Sequence, residues 1–248
     1  MKLRLGTYNI HRAIGVDRRF RLDRVAEVLE VHDPDVVLLQ EVDDGAPRSQ
    51  KLDLAKELAG LLQYPHYEVG HNVRLRRGRY GNSTLSRFPI LKTRNVDLSI
   101  GRLKSRGCLH TTLDLAGTED GPVLEVFNLH LGLSARERQQ QAGLLASAPE
   151  FAQLTKSKPC IVGGDFNDWR SLLRPFFVEA LEFRCATDRD VRNGARGIKT
   201  YPSFSPRGAL DRVYFRGPLQ LIHAFRCNHK KAKVASDHLP IFVEFEVG

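Results

Sequence analysis

Nothing in this chain is both long and apolar. Its hydrophobic runs, such as Val36-Val37-Leu38-Leu39, are the length of a strand and fall far short of the ~20 residues a membrane-spanning helix needs. The first residues, Met1-Lys2-Leu3-Arg4-Leu5, alternate like a strand and lack the apolar centre and small-residue cleavage site of a secretory leader. Cysteine is scarce: Cys108, Cys160, Cys185 and Cys227 form no CxxC pair and no zinc-type spacing with histidine. Their surroundings, as in Pro159-Cys160-Ile161-Val162, are strand-like, so they read as small core residues rather than a disulfide framework. Low-complexity tracts, a Pro/Ser-rich linker and a fixed-period repeat are all missing. These absences lead to the expectation of a cytoplasmic, monomeric protein with no transmembrane segment, folded as a single domain over residues 1–248.

What is present is an ordinary globular composition, 42% hydrophobic and 27% charged, with a net charge of +9. The excess of cations gathers at Arg18-Arg19-Phe20-Arg21, at Arg74-Leu75-Arg76-Arg77-Gly78-Arg79 and at His229-Lys230-Lys231-Ala232-Lys233. Such clusters favour polyanions, either nucleic acid or an anionic membrane surface, although each also serves as a solvated face. The middle one directly precedes Tyr80-Gly81-Asn82 and is the best candidate for a functional loop.

Periodicity predicts elements that alternate between helix and strand. Residues 2–10 and 36–40 read as strands, with an amphipathic helix over Leu22–Leu29 between them and Pro34 as the break. Residues 51–62 read as helix. β-Rich segments follow near 66–70, 80–87, 90–98, 107–115 and 122–130, with turns at Phe88-Pro89 and Gly121-Pro122. Ser134-Ala135-Arg136-Glu137 is a capping box opening a helix to about residue 153. A strand at Cys160–Gly163, a short helix near 171–180, and strands near 199–204, 209–215, 219–226 and 241–247 complete the pattern. It predicts an α/β fold, with two mixed sheets, outer helices and a functional rim where strand ends converge.

Five motifs place polar groups at those strand ends: Thr7-Tyr8-Asn9-Ile10-His11, Leu39-Gln40-Glu41-Val42-Asp43, Asn128-Leu129-His130-Leu131, Gly163-Gly164-Asp165-Phe166-Asn167 and Ser236-Asp237-His238-Leu239-Pro240. Together they supply what phosphodiester hydrolysis requires: oxygen ligands for a hard cation, a carboxylate for water, and donors around a phosphorane. If the strands ending at Asn9 and Glu41 are neighbours, an amide oxygen and a carboxylate face one cavity, which suits Mg²⁺. Gly163 and Gly164 permit a tight turn and close approach of backbone to a ligand, with Asp165 and Asn167 alternating onto one side. Asp165 can then accept a proton from water. His238 is cationic against phosphate or transfers a proton, and Asp211 can fix its tautomer, the alternative being a salt bridge from Asp211 to Arg212 or another arginine. His130 is a second imidazole, and His11, two residues after Asn9, a weaker candidate. Each motif alone has a bland reading as a cap, an Asx turn or a hydrogen-bonded histidine.

Taken together, the five motifs resemble the endonuclease/exonuclease/phosphatase superfamily, the metal-dependent phosphodiesterases related to pancreatic-type deoxyribonuclease, abasic-site endonucleases and neutral sphingomyelinases. The resemblance runs from Thr7 to Phe245 and implies a four-layer α/β sandwich with two packed mixed β-sheets. It implies Glu41 as the principal Mg²⁺ (or Mn²⁺) ligand with Asn9 beside it, and Asp237 as an acid reaching the metal region. It implies Asp165 as the proton-transferring carboxylate, Asn167 and His130 as phosphate contacts, and His238 oriented by Asp211. Abasic-site endonucleases carry a tyrosine where this chain has Asn128-Leu129-His130, and Thr-Lys where it has Val42-Asp43; both differences point to the deoxyribonuclease and lipid-phosphodiesterase side. Pancreatic-type nucleases offer a glutamate near Asn82, which cannot supply that charge. The expected function is thus in-line attack of water on a phosphodiester of nucleic acid or a lipid headgroup. The alternatives are a phosphomonoesterase acting on a soluble metabolite and a catalytically inactive binding or scaffold module.

Overall fold

Successive residues of the first strand face opposite ways, and both faces are buried: Leu3 and Leu5 enter one apolar cluster, Tyr8 and, just beyond the strand, Ile10 another. A strand covered on both sides needs a layer above and a layer below. The computed structural model describes residues 1–117, 122–189 and 197–248. Its strands are β1 (Lys2–Asn9), β2 (Val36–Asp44), β3 (His66–Arg74), β4 (Arg79–Ser86), β5 (Ile90–Asp97) and β6 (Gly107–Asp114). They continue with β7 (Val123–His130), β8 (Cys160–Asp165), β9 (Arg184–Cys185), β10 (Asp211–Arg216), β11 (Leu219–Arg226) and β12 (Ile241–Val247). The helices are α1 (Leu22–Glu30), α2 (Leu54–Leu61), α3 (Ala135–Ser147), α4 (Pro149–Ala152) and α5 (Ala232–Ala235). None is long and apolar enough to cross a membrane among the described residues.

The strands form two six-stranded mixed sheets, ordered β11-β12-β1-β2-β4-β3 and β5-β6-β7-β8-β10-β9. Between them lies a core of Leu5, Leu38, Val126, Ile161, Val213, Val243 and Phe245 with their neighbours. The outer face of the first sheet packs Tyr8, Leu39 and Val42 against Val25, Val28 and Leu29 of α1 and Leu54 and Leu58 of α2. The outer face of the second packs Phe127, Leu129, Val162 and Tyr214 against Ala142 and Leu145 of α3, Phe151 and Phe177. The result is the expected four-layer α/β sandwich.

Several local expectations need correction. The helix expected to reach residue 153 stops at Ser147, because Ala148 is extended (ψ 135°) ahead of Pro149, and α4 restarts with that proline in its first turn. The capping box is half formed: Ser134 accepts from the Glu137 backbone N–H (3.2 Å), but the Glu137 carboxylate instead accepts from Gln141 Nε2 at 3.1 Å. The helix near 171–180 is only a five-residue π-turn, Phe176–Ala180. Residues 199–204 form a loop tied by Thr200 and Tyr201 to Gly208 and by Ser203 to Asp237; Pro202 has no N–H for a ladder. Gly163 and Gly164 lie inside β8 and make no turn. A Cβ on Gly163 would meet Leu38 Cδ1 of the facing sheet at 2.8 Å, and one on Gly164 (φ +136°) would meet the Leu129 carbonyl at 2.0 Å. Both glycines therefore serve sheet and strand packing, not approach to a ligand. β9 and α5 were not expected, and Gly121 of the expected Gly121-Pro122 turn lies outside the described residues.

Candidate active site

Strand direction gathers the motifs. β1 and β2 are parallel, with Asn9 beside Gln40, and β7 and β8 are parallel, with His130 beside Asp165. The C-terminal ends of all four therefore open on one rim. β10 runs antiparallel to β8 and starts at Asp211, directly opposite Asp165, while β12 runs antiparallel to β1, so the preceding turn brings His238 to the same place. Side-chain alternation completes the arrangement: Ile161 and Val213 face the inter-sheet core, so Asp165 and Asp211, an even number of residues away, do too.

Asp165 is the centre. Its Oδ2 accepts a hydrogen bond from Asn9 Nδ2 (3.0 Å) and lies 3.5 Å from His130 Nε2 and 3.7 Å from His238 Nε2. Its Oδ1 accepts from the Asn167 backbone N–H at 2.9 Å. Burial pushes its carboxyl up to about 6, with the nearby Asp211 charge adding to this, against the opposing pull of His238 and the hydrogen bonds from Asn9 and Asn167. His238 Nδ1 donates to Asp211 Oδ2 at 2.9 Å, and Thr200 Oγ1 donates to that same oxygen. Burial alone would lower the His238 imidazole, but the Asp211 and Asp165 carboxylates outweigh it and raise it to about 10. Of the two open readings for Asp211, the structure thus selects His238; Arg212 turns to Asp188 and Ser171.

His130 behaves oppositely. Burial, then the positive charges of Arg106, His238 and Lys104, hold it well below the usual imidazole range, so it is neutral. Arg106 is itself buried, its Nε lacks a hydrogen-bond partner, and no carboxylate pairs with it among the described residues. It lines a narrow cleft with Tyr80, Asn82 and His130. That cleft shares Asn72 and Val73 with a larger one, about 670 Å³, lined by Arg74, Arg76 and Arg79 of the basic β3–β4 hairpin.

Glu41 occupies a second corner. The β2–β4 register slips between Leu39 and Val42, and Glu41 has φ 56°. This left-handed bulge re-aims a side chain that regular alternation would send outward with Leu39. A non-glycine residue held there costs about 1–3 kcal/mol, and such strain concentrates at functional sites. His11, Arg12 and Ala13, which follow Asn9, are left-handed as well. The Glu41 side chain is only 16% exposed, and its carboxylate is ion-paired with Arg12, whose Nε lies 3.3 Å away without hydrogen-bond geometry. A carboxylate largely withdrawn from water, with no hydrogen-bond donor among the described residues, suits a hard cation. Asn9 Oδ1 accepts from the His11 N–H (3.0 Å) and keeps a lone pair; Asp237, about one-third exposed, lies 3.9 Å from His11 Nδ1. Among the described residues, the one group of three acidic or imidazole side chains with ligand atoms within 4.8 Å of one another is Asp165, Asp211 and His238; Glu41 and Asp237 stand outside it.

Beneath the site an amide clamp joins the sheets. Gln40 Nε2 donates to Asn128 Oδ1 (2.8 Å), while Asn128 Nδ2 donates to the carbonyls of Leu39 (3.1 Å) and Ser83 (2.9 Å). Asn82 Nδ2 donates to Gly107 and Asn128 carbonyls. Asn167 Nδ2 donates to the Leu131 carbonyl at 2.9 Å, so this residue positions Asp165 and keeps one amide hydrogen free of that bond. Sequence reasoning placed every named site residue on this rim but missed Arg106, Arg12, Thr200 and the clamping role of Gln40 and Asn128. Arg106 follows Arg102 and Lys104 in the approach to β6, and nothing in the sequence sets it apart from them.

Comparison with known proteins bears on the family and the fold. The model of the Endonuclease/Exonuclease/phosphatase family matches residues 6–238. The uncharacterized protein YbhP of Escherichia coli K12 is 32% identical over 219 residues, covering 85% of this chain and 83% of that protein. An endonuclease/exonuclease/phosphatase from Beutenbergia cavernae superposes with a TM-score of 0.81 at 22% identity, over 100% of this chain and 72% of that one. A mannosyl-6-phosphatase of Bacteroides thetaiotaomicron superposes with a TM-score of 0.72 at 18% identity, over 98% and 99% of the two chains. The last two likenesses concern the fold alone.

Proposed function

The chain belongs to the endonuclease/exonuclease/phosphatase family, whose members hydrolyse phosphoester bonds, and on that premise we propose that it hydrolyses a phosphodiester with Mg²⁺ or Mn²⁺. The observation that carries this reading is the convergence on Asp165 Oδ2 of one amide and two imidazoles, at 3.0, 3.5 and 3.7 Å. Glu41 would hold the cation, with Asn9 and Asp237 beside it, and the bound cation would polarise the phosphoryl oxygens. Above about pH 6 Asp165 is ionised and accepts the proton of the attacking water. Asp211 holds Nδ1–H of His238, leaving Nε2–H turned to the side of Asp165 and available to an equatorial phosphoryl oxygen. Neutral His130, the second amide hydrogen of Asn167 and Arg106, which has no carboxylate partner among the described residues, would supply further donors around the phosphate. The basic hairpin extends this positive field outward, which suits a nucleic-acid or anionic-headgroup substrate.

The test is hydrolysis of bis(4-nitrophenyl) phosphate and nicking of supercoiled plasmid, each with Mg²⁺, with Mn²⁺ and with EDTA. Metal-dependent turnover is expected on the small diester, and nicking would identify nucleic acid. A folded, metal-supplied protein that cleaves no phosphodiester would refute the reading; turnover of phosphomonoesters alone would replace it.

A further inference from the structure

Trp169 is the only tryptophan of the chain and is 54% exposed. Single exposed apolar residues are common and need no explanation. This one differs in how it is held. Asp168 accepts from the Leu173 N–H at 2.7 Å, and its carbonyl accepts from Ser171 N–H, so the backbone around Trp169 is pinned. The ring lies on Gly208, where a Cβ would come within 2.7 Å of it. Its ring centroid is 5.5 Å from that of Tyr201, edge to face, and the Tyr201 ring is 5.0 Å from His238. Tyr201 is fixed in turn by two backbone hydrogen bonds with Gly208 and by the attachment of its loop to Asp211 and Asp237. The aromatic step therefore begins at the reaction centre and ends on an exposed indole, on a base that cannot collapse.

We propose that Trp169 is a stacking platform for a nucleobase joined through its sugar to the phosphate held by Asp165 and His238; this rests on the phosphodiesterase reading above. An exposed ring on a rigid base offers a π-face to a planar heterocycle at little entropic cost. The exposed neighbours Arg170 and Arg207 and the net charge of +9 complement a nucleotide's phosphates. Leu172 and Phe204 are also exposed (44% and 66%) and lie close in sequence to Trp169 and Tyr201, but the exposed Arg170 and Arg207 interrupt this apolar surface, which favours a planar base over a lipid chain. Glycine at 208 is part of the device, since any side chain there would displace the indole.

Because Trp169 is the sole indole, its fluorescence reports on the platform without turnover. The experiment titrates wild-type protein, in EDTA, with adenosine 5′-monophosphate, ribose 5-phosphate, inorganic phosphate and phosphatidylglycerol vesicles. Saturable quenching by the adenine nucleotide, well beyond that by the two base-free phosphates, is expected. Trp169→Ala should raise KM for a dinucleotide roughly tenfold with kcat little changed, and Trp169→Phe should restore most of the loss. Equal responses to all three soluble phosphates would overturn the platform, as would a blue shift with vesicles and no nucleotide quenching, which would assign the step to a membrane. If quenching is specific but no phosphodiester is cleaved, the platform stands and the hydrolytic reading falls. If a dinucleotide is cleaved with an unchanged KM in Trp169→Ala, the reverse holds.

Discussion

The two acidic corners of the rim are built in opposite ways. The Asp165–Asp211–His238 corner is buried, lies in regular strand register or just before a strand, and is cross-linked by hydrogen bonds from Asn9, Asn167, Thr200 and within the cluster. The Glu41 corner sits on a left-handed bulge, and among the described residues its carboxylate has only the ion pair with Arg12, outside hydrogen-bond geometry. Burial and charge tune protonation in the first: loss of water raises the Asp165 acid, whereas His238, which burial alone would lower, is raised by the Asp211 and Asp165 carboxylates. An unsatisfied carboxylate with free lone pairs is what a cation needs in the second. The contrast separates proton handling from charge neutralisation, and each can be attacked alone.

The largest effect belongs to Asp165→Asn, which keeps the side-chain shape and an acceptor but removes the base. Its kcat should fall by roughly 10³-fold with the circular-dichroism spectrum unchanged; a loss below tenfold would mean that the water gives its proton elsewhere. Asp211→Asn should lower kcat about tenfold to a hundredfold and move the alkaline limb of its pH profile down from near 10. The sign for stability follows from the same shift. The His238 cation is favoured in the fold, so its contribution is full below the unfolded value of 6.5 and is lost as pH rises through about 10. Thermal melts of Asp211→Asn should therefore differ most from wild type below pH 6.5 and converge with it above pH 10.

Smaller changes are expected at the other corner. Glu41→Gln should weaken activation by Mg²⁺ by at least ~10-fold, with much of kcat recovered at high metal; an unchanged metal titration would remove Glu41 from the cation site. Glu41→Gly relaxes the left-handed backbone and should stabilise the fold by about 1 kcal/mol while abolishing that metal response. A melt showing net destabilisation would mean that the carboxylate supports the fold more than it strains it.

Much of this rim was legible in the sequence because the carboxylates, amides and imidazoles follow apolar strands, where a polar residue stands out. The alternation of elements pointed to two mixed sheets with outer helices, and the four-layer sandwich came from the family resemblance; in the structure β1 and β2 are indeed buried on both faces. What escaped depended on tertiary contact. Arg106 is one of many arginines until His130 is beside it, and Gln40 and Asn128 are unremarkable amides until the sheets face each other. The strain at Glu41 had no local signature, since nothing about Gln-Glu-Val announces a positive φ. The misread glycines show the limit of motif reasoning: a pair before Asp165 suggested a ligand-hugging turn, but Leu38 and the Leu129 carbonyl are what demand them.

The most direct test of the account is the pH dependence of kcat/KM for bis(4-nitrophenyl) phosphate at fixed metal, from pH 4.5 to 10.5. It should rise with an inflection near 6 as Asp165 ionises, hold a plateau, and fall near 10 as His238 loses its proton. A rate that climbs steadily through pH 8 with no inflection near 6 would contradict a buried Asp165 as the proton acceptor.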